Sequence, residues 1–366
     1  MRATFAVTVA FAVAGAGLVL AQAQAPANLQ ATQDPRYAGI VAKCKVPPPG
    51  AQARGGGAAP GRAGGAPGGG GGQGRGAAPA VPAAADYKVA AIADVIAAGQ
   101  RWTTVYHTTG NNADGIIAAE DGSLLLAQND NGTVLRLDRA NQATVAYRDT
   151  NTGGALSRNT KGALFVASRG IGTAVLQLAP ERRVFANRYN GDPLECLGGV
   201  LNDVTADSRG GVYFTMGGLF YADPKGNVTA FGTDLRTNGV LLSPDEKVLY
   251  VTNGQTVVAF DVRPDGTLAN QRDFVKLPAG GGDGLAVDAA GRLYVTVGGG
   301  AGGSNGVYVF AADGRTLGHI PSPRNLITVG FAGADRKTLY AVANDRVNVD
   351  VYSIPMVAQG LTNRGK

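Results

Sequence analysis

From Asp86 onward the chain alternates apolar and polar residues on a short period. Stretches such as "KVLYVTN" (247–253) and "RLYVTV" (292–297) have the two-residue repeat of a half-buried strand, not the wider spacing of a helix. These runs are short and are broken by Asp, Asn and Gly, and the texture repeats. Copies begin at Ala113, Gly154, Asn202, Asn238, Asp283 and Asn325. Each has a polar head, a short strand, an Asp/Gly turn, a second strand ending in Tyr, Phe or Leu, and a third strand. The heads recur every 36 to 48 residues, and one four-stranded propeller blade takes about 40 to 50. The pattern therefore predicts an all-β fold, a six-bladed β-propeller over residues 86–366, in which radial repetition leaves few exposed sheet edges. A β-sandwich or β-helix is the competing architecture. "RWTTVYHTTG" (101–110) has no blade of its own and is expected to supply the outer strand that closes the ring against the last blade.

The first residues follow another rule. Arg2, an apolar stretch from Phe5 to Leu20 and the small-residue pattern Ala21-Gln22-Ala23 read as a signal peptide over residues 1–23. The apolar stretch is short for a membrane span, which needs about 20 residues. The expected location is periplasmic or secreted, with no membrane attachment after cleavage. Residues 24–85 are read as a disordered Gly/Ala/Pro-rich linker, because such a composition buries too little apolar area to offset its ordering entropy. Its glycine run, Gly68 to Gly72, lacks the Lys-Ser or Lys-Thr and the preceding strand of a phosphate loop.

Composition agrees with this division. Hydrophobic residues make up 45% of the chain and charged residues 16%, with 56 glycines, which suits many short strands and turns. The net charge is +6, but Arg2, Arg54, Arg62 and Arg75 lie ahead of the repeats, and no basic face interleaved with aromatics argues for nucleic acid. Export permits Cys44 and Cys196 to pair, which would tie the N-terminal segment to the propeller; two separate thiols are the alternative. Neither has partners at zinc-finger spacing.

The innermost strand of each blade lines a central channel, so residues at the start of each copy converge on one mouth. The heads are Asp114, Gly154, Asn202, Asn238, Asp283 and Asn325. Oxygen-bearing side chains from several blades suit a hard divalent cation, with Ca²⁺ the first choice. Taken singly, Asn-Gly and Asp-Gly are ordinary turn dipeptides.

The phrases "LNDVTADSRGGVYFT" (201–215), "TNGVLLSPDEKVLYVTN" (237–253) and "GGDGLAVDAAGRLYVT" (281–296) resemble blades of the senescence marker protein/gluconolactonase family, which includes regucalcin. The likeness spans roughly residues 100–355. It implies a six-bladed propeller with one catalytic divalent cation at the axial mouth, usually Ca²⁺ or Zn²⁺, hydrolysing lactones or related esters. By motif, the metal set would be Asp114, Asn202, Asn238 and Asp283, with Asp283 also a base or nucleophile and Asn202 touching ion or substrate. There are departures. Asp114 stands for a glutamate, Gly154 for a frequent substrate-facing Asn, with compensation by Asn151 left open, Leu201 for a frequent Pro, and "FTMGG" (214–218) lacks an Asp often found after Phe-Thr.

The chemistry this implies is a cation that polarises a lactone carbonyl and activates water, with Asp283 as base and Asn202 and Asn238 leaving the ion its charge. Cleavage of phosphotriesters or aryl esters on the same site is one alternative, and a propeller that binds a ligand or protein without chemistry is the other. The two histidines do not suggest a triad: His107 reads as a satisfied strand histidine, His319 as an exposed blade-edge residue, and no G-x-S-x-G elbow is present.

Overall fold

The computed structural model describes residues 29–46, 89–109, 113–278, 280–298, 305–345 and 347–366. The segment read as a signal peptide, and residues 47–85 of the stretch read as a linker, lie outside the described residues.

The repeats fold as six four-stranded antiparallel sheets; five are built from consecutive strands from the axis outward, and the sixth from three consecutive strands and one from the start of the propeller. The innermost strands are Ala113–Ala118 in blade 1, Gly153–Arg158 in blade 2 and Asp203–Ala206 in blade 3. Thr237–Leu242, Gly281–Val287 and Thr328–Ala332 are their counterparts in blades 4, 5 and 6. Each packs against the next, and blade 6 against blade 1, so the ring is closed. The closing strand is Thr103–Thr109, which pairs antiparallel with Asn348–Pro355 and becomes the outer strand of blade 6, as its lack of a blade predicts. N- and C-terminal segments of the propeller thus share one sheet, which removes a free edge.

The alternation in sequence decides what each strand buries. Second strands such as Val212–Thr215 and Leu164–Ser168 are sandwiched between neighbouring blades and buried throughout, whereas the outer strand Ala143–Tyr147 is largely exposed. Between blades 2 and 3, Phe165, Phe185, Val204, Phe214 and Phe220 form one cluster, with the rings of Phe214 and Phe220 stacked at 5.2 Å. Burying a side chain of that size contributes roughly 1.5–3 kcal/mol. The Asp/Gly turns are held from inside. Asp207 is fully buried and accepts from the Gly210 and Gly211 amides at 2.9 and 2.8 Å and from the Tyr221 hydroxyl at 2.9 Å. Asp288 repeats the device with the Ala290 and Arg292 amides and Tyr294. A short carboxylate that bonds its own turn explains why Asp recurs there.

Two features differ from the expectation. Residues 29–46, assigned to a disordered linker, are ordered: they contain the helix Tyr37–Val41 and pack on the propeller. Cys44 and Cys196 form a disulfide with Cα atoms 5.7 Å apart, and Tyr37, Val41 and the two cysteines make a small apolar cluster that this stretch, unlike the Gly/Ala/Pro run, can build. His319 is on the outer strand of blade 5, as expected, but is not exposed: its ring stacks on Tyr308 at 4.3 Å and its Nε2 is buried.

The segment 356–366 crosses the far end of the channel and touches every blade. Gly360 donates to Arg336 of blade 6, and the Ala289 amide of blade 5 donates to Gln359. Arg364 donates to Leu242 and Ser243 of blade 4, and Gly365 exchanges bonds with Arg158 of blade 2 while lying against Ala118 of blade 1. Lys366 reaches Asp203 of blade 3.

Candidate functional site

Four of the six heads sit at a defect in the inner strand. In blades 1, 2, 4 and 5 the ladder register slips between Ala113 and Ile116, Gly153 and Leu156, Thr237 and Val240, and Gly282 and Leu285. The residues caught in these bulges are Asp114-Gly115, Gly154-Ala155, Asn238-Gly239 and Asp283-Gly284. A bulge frees one residue from the ladder and re-aims its side chain. Here that turns Asp114, Asn238 and Asp283 toward the axis. The glycine that follows is required by close approach: a Cβ on Gly115 would lie 2.7 Å from the Ala155 Cα, one on Gly239 2.5 Å from the Asp283 carbonyl, and one on Gly284 2.6 Å from the Thr328 Cα. The Asp-Gly and Asn-Gly pairs are therefore not turns. They mark where an inner strand both bulges and touches its neighbour.

The structure brings Asp114, Asn202, Asn238 and Asp283 together around one narrow axial cavity, with Asp203, Thr328 and Lys366 also on its wall. The head Asn325 and the nearby Asn151 are not there. Asn325 packs its amide over Gly298, and Ile327 takes the sixth position, because its carbonyl, not that of Asn325, receives the Gly284 amide at 2.9 Å and the Thr296 hydroxyl at 3.3 Å. Asn151 does not compensate for Gly154 and instead donates to Ser168 and Ile171 at the end of blade 2.

The vacancy left by Gly154 is filled by Arg169, a residue the sequence did not single out. Its guanidinium lies where a Cβ on Gly154 would project. Nη1 bonds the Asp114 carboxylate at 2.6 Å, Nε donates to the Leu201 carbonyl at 2.8 Å, and Nη2 donates to the Asn202 carbonyl. On the other side, Lys366 pairs with Asp203, whose second oxygen accepts the Val240 amide at 2.8 Å.

Asp283 differs from both. It pairs with no Arg or Lys among the described residues, and burial, reinforced by the Asp114 and Asp203 carboxylates, raises its pKa well above the ordinary carboxylate range. Arg169 and a hydrogen bond from the Asn238 side chain pull the other way. The four-residue set offers two carboxylates and two carboxamides, all hard oxygen donors of the kind Ca²⁺ takes. It is not an acidic cluster: among the described residues no three His, Cys, Asp or Glu side chains are arranged to hold a metal. The donors fit a hard cation held by few charges, with Asp283 the carboxylate still to be compensated.

Neither histidine enters the site. His107 Nδ1 bonds Asp350 at 2.7 Å on the outer strand, the satisfied strand histidine expected. Trp102 is core, its Nε1 donating to the Pro321 carbonyl at 2.8 Å.

Comparison with known proteins gives a consistent picture. The family model for the SMP-30/Gluconolactonase/LRE-like region matches residues 112–344. A gluconolactonase of Zymomonas mobilis is 28% identical over 221 residues, 51% of this chain and 59% of that protein, so the chain spans under two thirds of that relative. Lactonase drp35 of Staphylococcus haemolyticus is 27% identical over 58% of this chain and 70% of its own length. A solved gluconolactonase from Xanthomonas campestris superposes with a TM-score of 0.63 at 25% identity, covering 77% of this chain and 99% of that one. The calcium-binding protein regucalcin from Agrobacterium tumefaciens shares the fold, with a TM-score of 0.58 at 16% identity.

Proposed function

Because the chain belongs to the SMP-30/gluconolactonase/LRE-like family, we propose that it is an exported lactone hydrolase acting at the axial cavity. A divalent cation, Ca²⁺ or Zn²⁺, would be held there by oxygens of Asp114, Asn202, Asn238 and Asp283. The observation that carries the reading is convergence: four side chains from four blades, up to 169 positions apart (Asp114 to Asp283), line one cavity.

When bound, the cation supplies Lewis-acid polarisation of the lactone carbonyl. The rest is done by side chains of this chain. Asp283 is the base: its raised proton affinity suits a carboxylate that must take a proton from an attacking water and return it to the leaving alkoxide. Asn202 and Asn238 orient the substrate, since carboxamide N–H groups can donate to an oxygen that gains charge as the ring opens. The bulges hold these groups on strands rather than on loops, which keeps them fixed. The relatives named gluconolactonase and lactonase support a small lactone as substrate. Aryl esters or phosphotriesters would use the same machinery.

One observation favours a second reading, a binding propeller without chemistry. Arg169 occupies the blade 2 head position and is bonded to a carboxylate of the proposed ligand set. The deciding experiment is acid release from a panel of small lactones, glucono-1,5-lactone included, in weak buffer, with chelator and with Ca²⁺ or Zn²⁺ restored. Chelator-sensitive turnover restored by the ion supports the hydrolase. No turnover and no bound ion would leave the binding propeller.

A further inference from the structure

Three carboxylates face or border the axial cavity, Asp114, Asp203 and Asp283, and two of them already have a cation from the chain itself. Arg169 is buried and reaches across blade 2 through the space that Gly154 leaves, tying Asp114 of blade 1 to the Leu201 and Asn202 carbonyls of blade 3. Lys366 is carried along the channel by the segment 356–366 and ends on Asp203, lining both the axial cavity and a deeper, narrow one. The deeper cavity is walled by Ile117, Val329 and Phe331, with the buried Arg364 also on its wall. In such surroundings neither ammonium nor guanidinium is screened as at a surface.

We infer that Arg169 and Lys366 are resident counter-ions of the axial site, which neutralise two of its carboxylates and hold its affinity for a divalent cation low. The inference rests on the reading that this cavity takes such an ion. A cation arriving on the free oxygen of Asp114 meets the guanidinium bonded to the other oxygen of the same carboxylate. One arriving near Asp203 meets the Lys366 ammonium. Arg cannot shed its proton to relieve this. Among the described residues, Asp283 is then the one carboxylate of the cavity with no Arg or Lys bonded to it, with carboxamides for the rest. Affinity of oxygen sites follows ligand charge, and sites with few charges work at about 10⁻⁴–10⁻³ M Ca²⁺, the range of extracellular modules. Arg169 and Lys366 are positioning residues in this scheme and touch no reacting atom.

The test is direct Ca²⁺ and Zn²⁺ binding by equilibrium dialysis on the full chain, independent of turnover. Arg169→Met and Lys366→Met keep length and remove charge; each should tighten binding by about tenfold or more. Arg169→Lys and Lys366→Arg keep the charge and should stay within about threefold of the parent. If Arg169→Met fails to fold, because the Leu201 and Asn202 carbonyls lose their donor, Lys366→Met decides alone. Unchanged or weaker binding in the Met variants, with the parent still binding, would overturn the inference and leave the hydrolase reading intact. Ion binding that appears only in the Met variants would support it. No binding by any variant would remove the cation reading, and the inference with it.

Discussion

The Thr252 hydroxyl, on the second strand of blade 4, donates to the backbone carbonyl of Asp283 on blade 5 at 3.2 Å and accepts the Gly239 amide at 2.6 Å. One side chain thus bonds the bulges of two adjacent blades. Thr215 bridges blades 3 and 4 in a similar way, accepting the Asp203 amide at 3.1 Å and donating to the Asn238 carbonyl in the blade 4 bulge. Thr296 reaches Gly284 and Ile327 one blade later. All three threonines are fully buried, so these bonds are not replaced by water. Together they link the channel-side ends of the inner strands of blades 3 to 6 in a row.

Thr252→Val should therefore harm the site more than its size suggests. The isosteric change strands a buried amide on Gly239 and a carbonyl on Asp283, at a cost of about 1–3 kcal/mol. It also frees the Asp283 bulge, and a shift of about 1 Å in a reacting group can cost on the order of 100-fold in rate. We expect turnover to fall at least tenfold, with a smaller loss from Thr229→Val on an exposed outer strand. Denaturant unfolding and lactone kinetics on both variants check this. A stability loss with unchanged turnover would reduce the threonine to a structural part.

Gly154→Ala tests whether the missing blade 2 head makes room for Arg169. The added methyl falls on the guanidinium. Overpacking of this kind costs about 1–3 kcal/mol. Combined with Arg169→Ala, the penalty should largely vanish, giving coupling above about 0.5 kcal/mol in a double-mutant cycle. Gly39→Ala, in the short helix with open space around it, should be neutral or stabilising. Additive effects at Gly154 and Arg169 would contradict the packing described.

The blades were legible because each carries its own strand period and its own Asp turn, both local signals. The closing strand was legible by exclusion, as a strand-like segment with no copy to join. The head positions were legible only in part. Asn325 was the nearest polar residue, but the ladder places Ile327 there, and an apolar residue at the sixth position carries no signature. Nor does "NG" distinguish a turn from a bulge, since the need for glycine comes from a neighbouring blade about 40 residues on. Arg169 was hidden for the same reason: in "ASRG" it reads as loop, and its partner Asp114 is 55 residues away. The one available clue was complementary, a head without a side chain in the blade whose second strand is followed directly by an arginine. The ordered stretch 29–46 had a local clue, since Tyr37, Val41 and Cys44 break the monotony of the Gly/Ala/Pro run.

That stretch is fastened at several points. Besides the disulfide, the Ala31 amide donates to the Arg169 carbonyl at 2.7 Å, and the Lys45 amide to Asp192 at 2.9 Å. The disulfide spans 152 positions, and loss of such a bridge costs roughly 2–5 kcal/mol. Cys44→Ser with Cys196→Ser should lower the melting temperature and expose residues 29–46 to protease. Deleting 24–85 in a Cys196→Ser background should leave turnover, because no residue of 29–46 lines the axial cavity. Loss of turnover in a still-folded deletion would show that the segment supports the site through Arg169.

His319 gives the propeller a stability that depends on pH away from the axis. Its ring stacks on Tyr308, its Nε2 is buried without a partner, and burial lowers its pKa below the ordinary value of 6.5. In the unfolded chain the imidazole takes its proton near pH 6.5, while in the fold it does so only at lower pH. Between those two values the unfolded state binds more protons, so stability falls as pH is lowered through that window. Below the folded pKa both states are charged and this contribution stops changing. Replacing the ring with one that cannot titrate, His319→Phe, should keep the stack on Tyr308 and flatten the melting temperature between pH 7 and 5 relative to the parent. A parent and variant with parallel pH profiles would place the titration elsewhere. The same variant should leave lactone turnover near the parent value at pH 7, since blade 5's outer strand is the one farthest from Asp283 in that sheet.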